Sequence, residues 1–79
     1  MNATATRNAT QIRFEGPEPH IDRKSGDEVP EWYVYAADAG REPTGKVYII
    51  RKSFDFAARL ATHMATDRRL PLEMDACPE

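Results

Sequence analysis

Lys46-Val47-Tyr48-Ile49-Ile50-Arg51-Lys52-Ser53-Phe54-Asp55-Phe56-Ala57-Ala58-Arg59-Leu60-Ala61-Thr62-His63-Met64-Ala65-Thr66 changes character halfway along, and that change decides the fold. Up to Lys52 the residues are β-branched and aromatic, the composition of a strand. Ser53 is then a suitable helix N-cap, because its hydroxyl can accept from a free amide of the first turn, and Asp55 suits the positive end of the helix dipole. The spacing predicts a helix from Phe54 to about Thr66. On a helical wheel Phe54, Phe56, Ala57, Ala58, Leu60, Ala61, Met64 and Ala65 fall within an arc of about 200°, with Asp55, Arg59, Thr62, His63 and Thr66 opposite. Phe56, Leu60 and Met64 suffice to cover a small sheet. The small-residue strip Ala58, Ala61 and Ala65 is then left at the helix edge, where a protein partner or a second copy of the chain can approach closely.

Working outward, Trp32-Tyr33-Val34-Tyr35-Ala36 reads as another strand, joined to the first by Asp38 to Gly45, which holds two glycines and Pro43 and reads as a long hairpin tip. Gln11 to Glu15 alternates Ile12 and Phe14 with polar residues, the period of a half-buried strand, and is expected to stop at Gly16-Pro17. From there to Pro30 the prolines, Gly26 and charges predict a long loop. Pro71 ends helical propagation, and Leu70, Leu72 and Met74 alternate with Pro71 and Glu73, which leaves a short C-terminal edge strand open. This order predicts an α+β fold: a small antiparallel sheet of three or four strands with one helix packed on one face. The other face is left to solvent, a partner or a second copy.

The chain has 79 residues and a formal net charge of −2. Eleven of its hydrophobic residues are alanines, and 17 are Val, Ile, Leu, Met, Phe or Trp, so the core is thin. A lone cysteine cannot make an intrachain disulfide, and a small core without a staple makes association with a partner an expectation. Residues 1–9 read as a disordered tail and 10–79 as a single domain. Asn2-Ala3-Thr4 and Asn8-Ala9-Thr10 match a glycosylation pattern by chance. With neither a secretory leader nor an 18-residue apolar run, the chain is expected to be cytoplasmic and free of the membrane.

Gly40-Arg41-Glu42-Pro43-Thr44-Gly45-Lys46 imitates a phosphate-binding P-loop, but Val47 stands where that loop needs Ser or Thr, and a strand follows where it needs a helix. Cys77 has Asp75 and Glu79 as neighbours, which disfavour a thiolate. His20 and His63 lack the close pairing that lets two ligands reach one metal. No catalytic, cofactor or metal constellation emerges, and the expectation is a protein that is not an enzyme.

Two surfaces remain. Between Glu15 and Glu31 six acids face two bases, and between Thr44 and Arg69 the ratio reverses, with six bases and two acids. Glu18, Asp22, Asp27, Glu28 and Glu31 therefore form an acidic loop able to compete with phosphate for a partner's basic groove, or to fold over the molecule's own basic half. Tyr33, Tyr35 and Tyr48, if they line the open face with Lys46, Arg51 and Lys52 nearby, offer a stacking platform for nucleic-acid bases. Net charge counts against that second choice, because phosphate binding draws its affinity from an excess of cations.

In size, acidity, apolar helix arc and acidic loop, the chain resembles the small inhibitors of host defence encoded by phages and other mobile elements, of the anti-CRISPR type. The resemblance implies a non-enzymatic protein-binding module whose partner is a Cas effector complex, acting by occluding a DNA path or the surface that recruits a nuclease.

Overall fold

A computed structural model describes residues 8–79, and its elements follow the periodicities above. They are β1 (Gln11–Ile21), β2 (Glu28–Ala37), β3 (Tyr48–Arg51), α1 (Phe54–Arg68) and β4 (Leu72–Ala76). The strands lie in the order β3-β2-β1-β4, a four-stranded sheet with α1 packed against it: a small α+β fold.

The sheet is mixed rather than antiparallel throughout. β1, β2 and β3 form an antiparallel meander, whereas β4 pairs parallel to β1, with Ile12 opposite Leu72 and Phe14 opposite Met74. Direction follows from connectivity. β3 runs the same way as β1, and the crossover helix carries the chain back to the end of the sheet at which β3 begins, so the next strand runs parallel to both.

β1 does not stop at Gly16-Pro17. Gly16, at φ 124°, and the proline, which has no amide to pair, are absorbed in a register irregularity between Glu15 and Glu18. Pairing then resumes from Glu18 opposite Glu31 to Ile21 opposite Glu28. The tip is closed by Asp22, whose backbone N–H donates to Asp27 O at 2.9 Å and whose Oδ1 accepts from Lys24 N at 2.8 Å. The expected acidic loop is therefore a two-stranded arm.

α1 is capped by Ser53 Oγ, which accepts from Phe56 N at 3.1 Å, and ends at Arg69 in the left-handed conformation. Its buried residues are Ala57, Ala61 and Met64, and the half-buried Phe54 ring lies 5.4 Å from Phe14 and 5.8 Å from Trp32. The expected arrangement of the helix is corrected in two places. Phe56 is 60% exposed, and Ala61 is fully buried rather than at an edge. The cause is volume: the sheet supplies the large core residues Trp32, Phe14, Ile12 and Val34, so the helix meets them with small ones.

On the face away from α1, Arg13, Glu31 and Tyr35 are nonetheless buried. Arg13 and Tyr35 each bond Glu15, and Glu31 bonds Tyr33 and Arg51, so polar side chains cover that side of the sheet. Among the described residues no buried side-chain nitrogen or oxygen lacks a hydrogen-bond partner. Residues 1–7 of the expected tail lie outside the described residues, while Ala9 packs against the core and Thr10 N donates to Ala37 O at 2.8 Å.

Candidate protein-binding surface

Antiparallel register brings the acidic arm and β3 together. Glu31 lies opposite Arg51 on the face away from α1, and Arg51 Nε donates to its carboxylate at 2.8 Å. The Tyr33 hydroxyl donates to the same carboxylate, and His20 Nδ1 stands 3.5 Å from it. The hydroxyl bond first, then Arg51 and His20, hold the Glu31 carboxyl below its ordinary range, and the bond to Glu31 pushes Tyr33 up to about 12. Lys52 Nζ lies 3.4 Å from Asp22. Two of the five arm acids thus meet the molecule's own basic half, leaving Glu18, Asp27 and Glu28 as the exposed members.

The second cluster is centred on Arg13. Its guanidinium donates to Glu15 at 2.9 Å, to Gln11 at 3.1 Å and to Asp75, while the Tyr35 hydroxyl donates to Glu15 at 3.0 Å. Glu15, the largest influence, raises the Arg13 pKa, and burial followed by the bond to Glu15 raises that of Tyr35.

These bonds dismantle the tyrosine platform. Tyr35 is buried, Tyr33 is tied to Glu31, and Tyr48 stands on the other face, paired with Val34 and packed against the helix-side core. Lys46 Nζ lies over the Tyr48 ring, 5.0 Å from its centre. The three tyrosines do not lie on one common face, and Tyr33 and Tyr35 have carboxylates as immediate neighbours, which repel phosphate. Of the small-residue strip, Ala61 is buried, while Ala58 and Ala65 are half-buried at the margin of α1.

An open apolar groove of about 430 Å³ lies at the β3 edge, lined by Lys46 to Ile50 together with Phe56 and Leu60, and it contains one charged side chain and no acid. Ile49, whose side chain is on the opposite face of the same strand, is 52% exposed. The backbone is available as well. Lys52 N donates to Pro30 O at 3.0 Å, which puts Ile50 and Tyr48, two and four residues earlier, in the same phase towards β2. Ile49 and Arg51 therefore point their amides and carbonyls out of the sheet. At the Arg51 end a polar hollow is lined by His20, Asp22, Arg23, Lys24, Arg51 and Lys52.

The sequence reading missed Phe56 and Ile49 as surface residues, although one signal for Phe56 was present. An apolar arc of about 200° is wider than the stripe a helix needs to bury on a sheet, and Phe56 sits at its outer margin. For Ile49, apolar residues on both strand faces hide which one is left uncovered.

Among the described residues no group of three His, Cys, Asp or Glu side chains is placed to hold a metal, and no helix is long and apolar enough to cross a membrane. Comparison with family models, with curated proteins and with solved structures returns no match.

Proposed function

We propose that this chain is a non-enzymatic protein-binding module, and that its contact surface is the β3 edge with the apolar groove beside α1. The observation that carries this reading is the outward-facing backbone of β3, flanked on the α1 side by a groove with exposed Phe56 and on the opposite face by exposed Ile49. Apolar side chains left in water next to unpaired strand groups gain by being covered, and the gain is available to a partner polypeptide. The titratable groups on the opposite sheet face support the non-enzymatic part, since Arg13, Glu15, Glu31, Tyr33 and Tyr35 are engaged with one another.

The acidic arm, the feature that motivates a competitor of nucleic acid, keeps Glu18, Asp27 and Glu28 exposed, and these charges lie outside the groove lined by Lys46 to Ile50, Phe56 and Leu60.

The test is selection from a random peptide library on the immobilised protein, followed by amide chemical-shift mapping of the selected peptides. Shifts should cluster on Val47 to Arg51 and on the Phe56–Leu60 side of α1, and Phe56→Asp should abolish binding while leaving the spectrum folded. Peptides that map to the arm tip or to the Arg13 face would overturn the choice of surface.

A further inference from the structure

Resting on that reading, we infer that the occupant of the β3 edge is an extended, acidic segment of another protein, added as a fifth strand. Three observations converge on this chemistry.

The first is the backbone. Ile49 and Arg51 present their N–H and C=O groups outward, a template that an extended chain satisfies and a helix does not.

The second is the arrangement of side chains across that edge. The groove on the α1 side is apolar, with Phe56 and Leu60 beside Ile50, whereas Ile49 and Arg51 point to the opposite side of the sheet. An added strand alternates its side chains between the same two sides, so apolar residues in one phase meet Phe56 and Leu60, and residues in the other phase meet Arg51 and, two residues along, Ile49.

The third is charge. From Lys46 to Lys52 the edge carries Lys46, Arg51 and Lys52 and no acid, and the hollow at its end adds Arg23 and Lys24 against the single acid Asp22. Arg51 and Lys52 remain 50% and 62% exposed although each has an acid nearby, so they retain capacity for a second carboxylate.

The same charges argue against a second copy pairing through β3. A two-fold antiparallel pairing centred on Ile49 would set Lys46 of each copy opposite Lys52 of the other, and like charges directly opposite destabilise a strand pair. Opposite charges at those positions stabilise it.

The experiment uses the whole chain, labelled for amide detection, and two capped probes, Val-Glu-Val-Glu-Val-Glu and Val-Lys-Val-Lys-Val-Lys. The acidic probe should shift the amides of Ile49 and Arg51 and bind at least about tenfold more tightly than the basic one, with the difference shrinking as salt is raised. Methylating the acidic probe's amides at every second position should abolish binding in one phase and spare it in the other, because one phase faces β3. Equal binding by both probes, or equal tolerance of both methylation phases, would overturn strand addition by an acidic segment. If library-selected peptides still mapped to the groove, the module reading would survive that loss; if neither selected nor designed peptides bound there, both would fall. Concentration-dependent self-association mapped to β3 would replace the acidic partner with a second copy.

Discussion

The indole Nε1–H of Trp32 donates to the backbone carbonyl of Cys77 at 3.1 Å, joining the largest buried side chain of the core to the segment beyond β4. Cys77 N in turn donates to Gly16 O at 3.1 Å, so the end of the chain is stitched to both β1 and β2. Cys77, unremarkable as a thiol, is placed here by its backbone. Removing residues 77–79 should cost about 1–3 kcal/mol, since two backbone-supported hydrogen bonds are lost and the buried indole donor is left without this acceptor. Thermal unfolding of the truncated chain checks this, and the shortened chain combined with Trp32→Phe should lose less than the sum of the two changes. Strict additivity would mean that the indole bond contributes nothing.

Gly16→Ala should destabilise the domain by at least about 2 kcal/mol. At φ 124° a side chain is strained, and an added Cβ would meet Glu31 O at 2.8 Å and Trp32 Cδ1 at 2.9 Å. Backbone and a packed indole cannot both retreat. Gly26→Ala is the control for the conformational part: its φ is 76°, but nothing lies within 4 Å, so its loss in a denaturant titration should be smaller.

The arm acids should separate in stability measurements although they look alike in sequence. Glu31→Gln leaves Arg51 and His20 without their carboxylate and should cost about 1–3 kcal/mol, whereas Glu18→Gln and Glu28→Gln should stay within about 0.5 kcal/mol. The pH dependence has a defined sign. Because the folded Glu31 pKa is lowered, its contribution is complete above the ordinary glutamate value of 4.5 and is lost as pH falls through the folded value. Glu31→Gln should therefore flatten the acid limb of a stability curve, and an unchanged limb would remove Glu31 from the account.

Tyr33 produces the opposite limb. Its folded pKa is raised from 10.0 to about 12, so the stability tied to its neutral hydroxyl is intact below pH 10 and is lost as pH rises through about 12. Phenolate absorbance in the folded protein should show Tyr33 and Tyr35 titrating late, the component near 12 should vanish in Tyr33→Phe, and Glu31→Gln should bring the Tyr33 midpoint back towards 10. A Tyr33 midpoint near 10 in the unaltered protein would contradict the bond to Glu31.

Phe56 and Ala61 should behave in reverse of their sizes. Phe56→Ser removes a large ring that is 60% exposed and should change stability by no more than about 0.5 kcal/mol, while Ala61→Leu forces bulk between α1 and the sheet and should cost about 1–3 kcal/mol. For a domain of this size each kcal/mol is about 4–8 °C in melting temperature, so a thermal scan resolves the two.

The sequence by itself determined the α+β class, the Ser53 cap, the helix and the two hydrophobic strands around Trp32 and Ile50, because these are local matters of periodicity, capping and turn chemistry. The parallel direction of β4 and the continuation of β1 past Gly16-Pro17 were not legible there. The first depends on the helix carrying the chain back along the sheet to the end at which β3 begins, and the second on a partner strand that supports pairing across a proline. The sites divide in the same way. Charge segregation between the arm and β3 could be read from residue order, but that Glu31 meets Arg51 while Glu18 stays exposed is a matter of register and side-chain phase. Only tertiary structure decided that Phe56 and Ile49 face water and Ala61 does not, because burial depends on the volume the opposing sheet already fills, which no single segment of the chain contains.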